Sequence, residues 1–274
     1  MRRKRSIRTA ATAIPAVLPG WSGAMTEVAG TGHGSADDSR SAELAERLAA
    51  VRKRIAAAAA GAGRGDRLPS LIVVTKFHPA DDIRRLAALG VTDVGENRDQ
   101  EAAAKALELA DLDLTWHFVG QLQTKKAKSV ARYASAVHSV DRPQLVEALA
   151  KAVRHEMDAT GRAPLDCFIQ VSLEHDGGTH RGGADPTDVP LLAERIAGSE
   201  GLNLAGVMAV APLGAPPEPA FEQLAGISAR LAADYPSATA ISAGMSQDLE
   251  AAIKFGATHL RIGSDVLGSR PAVG

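Results

Sequence analysis

The sequence is poor in cysteine, in aromatic residues and in net charge, and each shortage argues against a class of protein. A single cysteine, Cys167, can form neither an internal disulfide nor a metal cluster, which favours a reducing cytoplasm. Aromatic residues make up only 3% of the chain, so we expect a core of aliphatic side chains and alanine. The net charge of −1 gives no reason to expect nucleic acid or a membrane as a partner.

The first forty residues differ from the rest of the chain. A strongly basic start is followed by the mildly apolar stretch TAATAIPAVLPGWSGAM, an outline that signal and transit peptides share. However, Pro15, Pro19 and Gly20 interrupt this stretch, which is too short and too weakly apolar to span a bilayer. We therefore predict a disordered extension over residues 1–40 and one domain over residues 41–274.

A regular pattern begins at residue 41. The segment SAELAERLAAVRKRIAAAAAGAG has the spacing of an amphipathic helix, with Ser41 placed to cap it and Gly61 to end it. Short apolar runs then alternate with helical stretches. These runs cover residues 71–76, 93–97, 115–120, 136–140, 167–173, 204–210, 239–244 and 259–268. Runs that are short and apolar on both faces indicate a parallel sheet covered by helices.

Eight such units predict an α/β fold of the (β/α)₈ or TIM-barrel type, in a single domain with an extra N-terminal helix. The alternative is an open doubly wound sheet. That sheet would be unusually large, and the sequence reveals no switch point for it. Because the eight units use the chain almost to its last residue, we expect no second domain.

Polar residues concentrate where the predicted strands end, which is where a barrel of this type carries its functional groups. Strand one ends in Lys76, strand two ends in Asn97, and strand three carries His117. Strand seven ends in SAGMS, residues 242–246, and strand eight contains RIGS, residues 261–264.

The ends of strands seven and eight predict a phosphate site. Small hydroxylated residues, glycine N–H groups and the start of a helix suit phosphate binding. The loops after strands seven and eight commonly provide such a site in this barrel, although either segment alone could be a plain turn. The candidate ligands are Ser242, Ser246, Gly263 and Ser264.

Lys76 points to carbonyl chemistry. An amine at the mouth of an apolar strand favours its neutral, nucleophilic form, although a lysine at a strand end can also be a plain surface residue. Together with a phosphate site, this lysine suggests a phosphorylated aldehyde held as a Schiff base. Pyridoxal phosphate and the sugar-phosphate substrates of aldolases both meet that description.

Arg261 helps to separate these two ligands. An arginine that faces a pyridine nitrogen donates a hydrogen bond and keeps its own proton, so the ring nitrogen stays unprotonated. A pyridoxal cofactor held in this way is a weaker electron sink than one paired with aspartate. The alternative role for Arg261 is a structural ion pair with Glu96 or Asp141.

Seven segments resemble, in order and spacing, the pyridoxal-phosphate homeostasis proteins, also called the YggS or PROSC family, which are related to the N-terminal barrel of alanine racemase. The segments are VTKFHP, GENRDQEAAAK, WHFVGQLQTKKAK, HSVDR, GVMAVAP, SAGMSQDLEAAI and THLRIGSDVLG. The resemblance covers residues 41–270. It implies pyridoxal 5′-phosphate as the cofactor and the barrel known as fold type III among pyridoxal-phosphate proteins.

The resemblance also implies a role for each candidate residue. Lys76 matches the lysine that holds the cofactor as an internal aldimine, and Arg261 matches the partner of the ring nitrogen. Asn97 and His117 match positions that line the cofactor pocket. The phosphate cradle is matched by Ser242, Ser246, Gly263 and Ser264.

The resemblance leaves a choice between carrier and racemase. Racemisation needs a base on each face of the cofactor, and the related enzymes take the second base, a tyrosine, from an added β domain. We expect no such domain here, and neither Tyr133 nor Tyr235 has a catalytic setting in the sequence. We therefore expect a monomeric cytoplasmic protein that holds and buffers the cofactor without strong catalysis. Apo-enzymes that need the cofactor are its candidate recipients.

Overall fold

The computed structural model describes residues 34–173 and 182–269. In this part of the chain, eight parallel strands form a closed barrel in chain order. They are β1 (Ser70–Val74), β2 (Asp93–Glu96), β3 (Thr115–Phe118), β4 (Ala136–Val140), β5 (Leu165–Gln170), β6 (Leu202–Met208), β7 (Ala240–Ser242) and β8 (His259–Ile262). β1 pairs with β8 from Ser70 opposite His259 to Val73 opposite Ile262, so the predicted barrel is confirmed and the open sheet is excluded.

Helices follow the strands and cover the outside of the barrel. They are α1 (Gly34–Gly61), α2 (Ala80–Ala88), α3 (Asp99–Glu108), α4 (Ala127–Val130), α5 (Pro143–Thr160), α6 (Val189–Ala197), α7 (Glu218–Asp234), α8 (Leu249–Lys254) and α9 (Ser264–Leu267). The extra helix α1 begins at Gly34, upstream of the predicted Ser41, so residues 34–40 are helical. The rest of the predicted extension, residues 1–33, lies outside the described residues.

Two apolar clusters hold the barrel together. The larger one lies between strands and helices and is built mainly from leucine, isoleucine, valine and alanine, as the scarcity of aromatic residues predicts. The smaller cluster comprises Ala136, Phe168 and Met208. His117, His138 and Arg261 are also buried. Because buried polar groups need hydrogen-bond partners, we expect these three side chains to be hydrogen-bonded inside the barrel.

Candidate ligand-binding site

A cavity of about 630 Å³ opens beyond the C-terminal ends of the strands. Its volume suits a small organic ligand. Six of the predicted site residues line it: Lys76, Asn97, Ser246, Arg261, Gly263 and Ser264. Apolar groups, among them Val74, Val119 and Leu213, line other parts of the wall. The structure therefore brings together an amine, a guanidinium and two hydroxyl groups around one space.

Lys76 lies in a tight turn after β1. The sequence predicts Lys76 as the last residue of this strand. The strand ends at Val74, so Lys76 lies two residues beyond it. The next residue, Phe77, has φ 69°, a left-handed conformation that is rare for a bulky side chain. The N–H of Phe77 donates to Oε1 of Glu101 at 2.6 Å, and the Arg98 guanidinium lies 4.8 Å from the centre of its ring. These contacts hold the turn that carries Lys76.

A buried ion pair lies beneath this turn. Nζ of Lys105 is 2.8 Å from Oε1 of Glu96 and 2.6 Å from Oε1 of Glu101, and it donates to the carbonyl of Thr75 at 2.9 Å. Burial raises the pKa of the Glu96 carboxyl, and the hydrogen bond from Lys105 opposes that rise. α3 therefore supports the turn of Lys76 through a charged contact to the backbone.

Asn97 follows β2 and carries an unpaired oxygen. Its Oδ1 is buried and has no hydrogen-bond partner among the described residues. Gly120 packs directly against its backbone, since a Cβ at Gly120 would lie 2.3 Å from the Asn97 carbonyl oxygen. This close approach fixes where Asn97 stands in the cavity wall.

Ser246, Gly263 and Ser264 form a group that we call the serine corner. The Oγ atoms of Ser246 and Ser264 are 3.2 Å apart, although Ser246 lies in the loop after β7 and Ser264 begins α9 after β8. The first loop turns at Gly244, where φ is 94° and an added Cβ would lie 2.7 Å from Cβ of Ala252. A glycine is therefore required for this loop to reach the corner.

The extra helix α1 braces the serine corner. Arg54 on α1 donates to the carbonyl of Ser246 at 3.0 Å and to Oδ2 of Asp265 at 2.6 Å, and it also pairs with Glu250 at 2.9 Å. One guanidinium thus joins the loop after β7 to the first turn of α9.

Arg261 on β8 lines the cavity with only 6% of its surface exposed. Its Nη1 donates to Oγ of Ser242 at 2.6 Å and its Nη2 donates to the carbonyl of Ala209 at 2.9 Å. Burial lowers its pKa to about 10, so the group stays cationic at neutral pH. Arg261 forms neither of the alternative ion pairs, since Glu96 pairs with Lys105 and Asp141 pairs with Arg142.

The structure does not bring His117 and Ser242 to the cavity wall. Both are buried inside the barrel, where His117 contacts Asp93 and His138, and Ser242 contacts His138 and Arg261. Ser242 therefore belongs beneath Arg261 rather than in the serine corner. Asp93 and His138 are not among the residues predicted from strand ends, because neither lies at the C-terminal end of its strand. An ionisable residue within an otherwise apolar strand is the sequence signal for both.

Other groups with potential chemistry lie elsewhere. Tyr133 packs edge-on against Trp116 with ring centres 6.5 Å apart, and Tyr235 caps the end of α7. Cys167 is fully buried in β5, and burial raises the pKa of its thiol.

Within residues 34–173 and 182–269, no cluster of histidine, cysteine, aspartate or glutamate is arranged to hold a metal ion. No helix of the described chain is long and apolar enough to cross a bilayer.

Comparisons with known proteins place the chain in a family. Residues 47–271 match the family described as the alanine racemase N-terminal domain. A Corynebacterium glutamicum protein named pyridoxal phosphate homeostasis protein is 49% identical over 203 residues, which cover 73% of this chain and 90% of that protein. The structure of PipY from Synechococcus elongatus with pyridoxal phosphate bound is 35% identical with a TM-score of 0.70, and the match covers 82% of this chain and 100% of that one.

A more distant comparison concerns the fold alone. The alanine racemase of Streptomyces coelicolor is 19% identical with a TM-score of 0.66, and the match covers 84% of this chain but 59% of the enzyme. The enzyme therefore shares the barrel and has further chain outside the match. The family match and the close relatives show that this chain belongs to the alanine racemase N-terminal domain family, among proteins named for pyridoxal phosphate homeostasis.

Proposed function

We propose that the protein binds pyridoxal 5′-phosphate in this cavity and takes part in the intracellular homeostasis of that cofactor. One observation carries the proposal: Lys76, Arg261 and the serine corner all face a single cavity of about 630 Å³. The names of the relatives and the ligand of PipY support the same cofactor.

The residues present fit the parts of this cofactor. The serine corner offers two hydroxyls, and an added Cβ at Gly263 would lie 3.1 Å from the Val74 carbonyl oxygen, so the backbone packs closely there. The guanidinium of Arg261 is suited to donate to the ring nitrogen, and Asn97 lines the wall with its unpaired oxygen. When bound, the cofactor would supply an aldehyde, and Lys76 would be the amine that holds it covalently.

We propose a carrier rather than a catalyst. Racemisation needs a second base, and neither Tyr133, Tyr235 nor Cys167 is among the residues that line the cavity. Arg261, if it donates to the ring nitrogen, would also leave the bound cofactor a weak electron sink. The carrier is proposed to act in the cytoplasm as a monomer and to supply apo-enzymes that depend on the cofactor.

The covalent part of this proposal is tested at Lys76. Purified wild-type protein, Lys76→Ala and the control Lys125→Ala, a substitution at an exposed lysine, are titrated with pyridoxal 5′-phosphate. Wild type and the control should show the visible band of a Schiff base and should retain the cofactor after borohydride reduction. Lys76→Ala should show neither, and peptide mapping should locate the label on Lys76. A persistent band in Lys76→Ala would exclude this attachment.

The carrier role is tested against the racemase alternative, which the family match raises. Amino acids are incubated with the cofactor-loaded protein in deuterium oxide, and exchange of the Cα proton is followed. We expect the Cα proton to exchange no faster with the loaded protein than with the free cofactor alone. Exchange at enzymatic rates would overturn the carrier role and leave cofactor binding intact.

A further inference from the structure

Beneath the cavity, three buried side chains and the partly exposed Asp93 connect Arg261 to the far end of the barrel. We infer that Ser242, His138, His117 and Asp93 form a one-directional hydrogen-bond chain that positions Arg261 as a donor, so that the site selects ligand rings with an unprotonated nitrogen. This inference rests on the proposed function, because it specifies what Arg261 contributes to cofactor binding.

Each link of the chain has hydrogen-bond geometry. Nη1 of Arg261 is 2.6 Å from Oγ of Ser242, which is 2.8 Å from Nδ1 of His138. Nε2 of His138 is 2.9 Å from Nδ1 of His117, and Nε2 of His117 is 2.9 Å from Oδ1 of Asp93. The five side chains come from β8, β7, β4, β3 and β2, so the network crosses the barrel interior.

The two ends set the direction of the chain. A guanidinium can only donate, so Ser242 accepts from Arg261 and directs its own hydrogen at Nδ1 of His138. His138 then carries its hydrogen on Nε2 and donates it to Nδ1 of His117. His117 in turn carries its hydrogen on Nε2 and donates it to the Asp93 carboxylate. With both histidines neutral, every link has one donor and one acceptor.

The opposite direction is less favourable. It would place a hydrogen on Nδ1 of His117, and the contact to Asp93 would then need a second hydrogen on Nε2, which makes the ring a cation. Oγ of Ser242 would then accept from both Arg261 and His138, and its own hydroxyl hydrogen would have no acceptor in the chain. Burial, reinforced by His117 and Arg261, lowers the pKa of His138 well below its ordinary value, which keeps that ring neutral.

The chain determines how Arg261 meets a ligand. Ser242 and the Ala209 carbonyl each take one N–H, which fixes the plane of the guanidinium while Arg261 still lines the cavity. A ring nitrogen with a free lone pair can accept a remaining N–H. A ring with C–H at that position would leave a buried donor unpaired, and sites built for a hydrogen bond discriminate strongly against such analogues.

His259 provides a matched control for the loss of a buried histidine. Its ring lies 6.4 Å from that of His117 and 6.3 Å from that of His138. Its Nδ1 is hydrogen-bonded to Oγ1 of Thr258 at 2.8 Å, so His259 lies beside the chain without being a link.

The selectivity is measured with two probes, pyridoxal 5′-phosphate and its 1-deaza analogue, whose ring nitrogen is replaced by C–H. Wild type should bind the first at least ~10-fold more tightly, as expected for one buried hydrogen bond. Ser242→Ala and His138→Phe should bring this ratio close to one, while Ser242→Thr, which keeps the hydroxyl, and His259→Phe should preserve it. A ratio that is unchanged in Ser242→Ala and His138→Phe would overturn the chain but not the proposed function. Failure of wild type to bind pyridoxal 5′-phosphate would overturn both.

A measurement on the wild type does not depend on variants that fold. Nitrogen-15 NMR of the folded protein distinguishes the two tautomers of each histidine. The chain requires hydrogen on Nε2 of both His117 and His138. Hydrogen on Nδ1 of either neutral ring would contradict the inferred direction.

Discussion

Arg261 and Ser242 share a 2.6 Å hydrogen bond at the boundary between the ligand cavity and the barrel interior. Arg261 lines the cavity, whereas Ser242 is fully buried behind it. The bond therefore couples the orientation of a cavity residue to side chains that a bound ligand does not reach.

Replacing the hydroxyl of Ser242 should destabilise the fold. Ser242→Ala leaves Nδ1 of His138 and one N–H of Arg261 without their buried partner, which we expect to lower the free energy of unfolding by about 2 kcal/mol. Ser246→Ala removes a hydroxyl from a half-exposed position and should change it by less than about 0.5 kcal/mol. Urea unfolding of both variants checks the difference, and equal losses would contradict it.

The turn at Gly244 should tolerate no side chain. Gly244→Ala combines a φ of 94° with a methyl group 2.7 Å from Cβ of Ala252. Gly214→Ala is matched in backbone strain, with φ 75°, but nothing lies within 4 Å of its added Cβ. We expect a loss of about 1 kcal/mol at Gly214 from strain and a further ~1–3 kcal/mol at Gly244 from overpacking. Thermal unfolding should rank the two variants, and similar midpoints would rule out the clash.

Removing the cation beneath the Lys76 turn should make stability depend on pH. Lys105→Met leaves Glu96 buried without its partner, which we expect to destabilise the protein by about 3 kcal/mol at pH 8. Burial raises the pKa of Glu96 above its ordinary 4.5, so the native state holds that proton more tightly than the unfolded chain. Stability should therefore fall as pH rises from 4.5.

The control for this prediction is the double variant Glu96→Gln/Lys105→Met, which has no buried carboxylate at this position. Urea unfolding at pH 5 and pH 8 should show a larger loss at pH 8 for Lys105→Met alone. The double variant should recover stability at pH 8. If both variants respond equally to pH, the uncompensated charge of Glu96 is not the cause.

His259 should contribute to loss of stability in acid. Burial lowers its pKa from 6.5 to about 4, so between these values the unfolded chain binds a proton that the native state does not. Stability should fall as pH drops through this window, by at most about 1.4 kcal/mol per pH unit from this residue. His259→Phe should flatten the curve between pH 6.5 and pH 4. Parallel curves for the variant and the wild type would contradict this assignment.

Loss of the brace from α1 should weaken binding of a phosphorylated ligand. Arg54→Met removes the contacts to the Ser246 carbonyl and to Asp265. Arg52→Met is the matched control, since Arg52 lies on the same helix but contacts the Leu89 and Gly90 carbonyls. We expect a ~5-fold loss of affinity for pyridoxal 5′-phosphate in the first variant, equivalent to about 1 kcal/mol, and none in the second. Fluorescence titration measures the affinity of each variant. Equal affinities of the two variants would show that Arg54 does not stabilise the serine corner for binding.

The sequence predicts the barrel well because alternating apolar runs and helices are local patterns. It also places Lys76, Arg261 and the serine corner at one rim, since the C-terminal ends of parallel strands meet there. It does not predict the left-handed turn at Phe77, which depends on Glu101 from α3. Such contacts join residues far apart in the chain and leave no periodic signal.

The depth of a side chain within a strand was harder to predict. The third run was expected to extend over residues 115–120, but β3 ends at Phe118, and His117 pairs in register with Gly95 of β2. Its side chain is therefore buried within the barrel, hydrogen-bonded to His138 and Asp93, instead of lying at the cavity. Ser242 is likewise the last residue of β7 and is fully buried.

The pairing of β1 with β8 and the reach of Arg54 to the serine corner also have a consequence during protein synthesis. A ribosome makes the chain from its N-terminus, so Arg54 and Lys76 emerge well before Ser246 and Ser264. A nascent chain that stops short of β8 holds the amine but has neither a closed barrel nor a complete corner. Capture of a phosphorylated ligand at this corner would thus mark a polypeptide whose translation has passed β8.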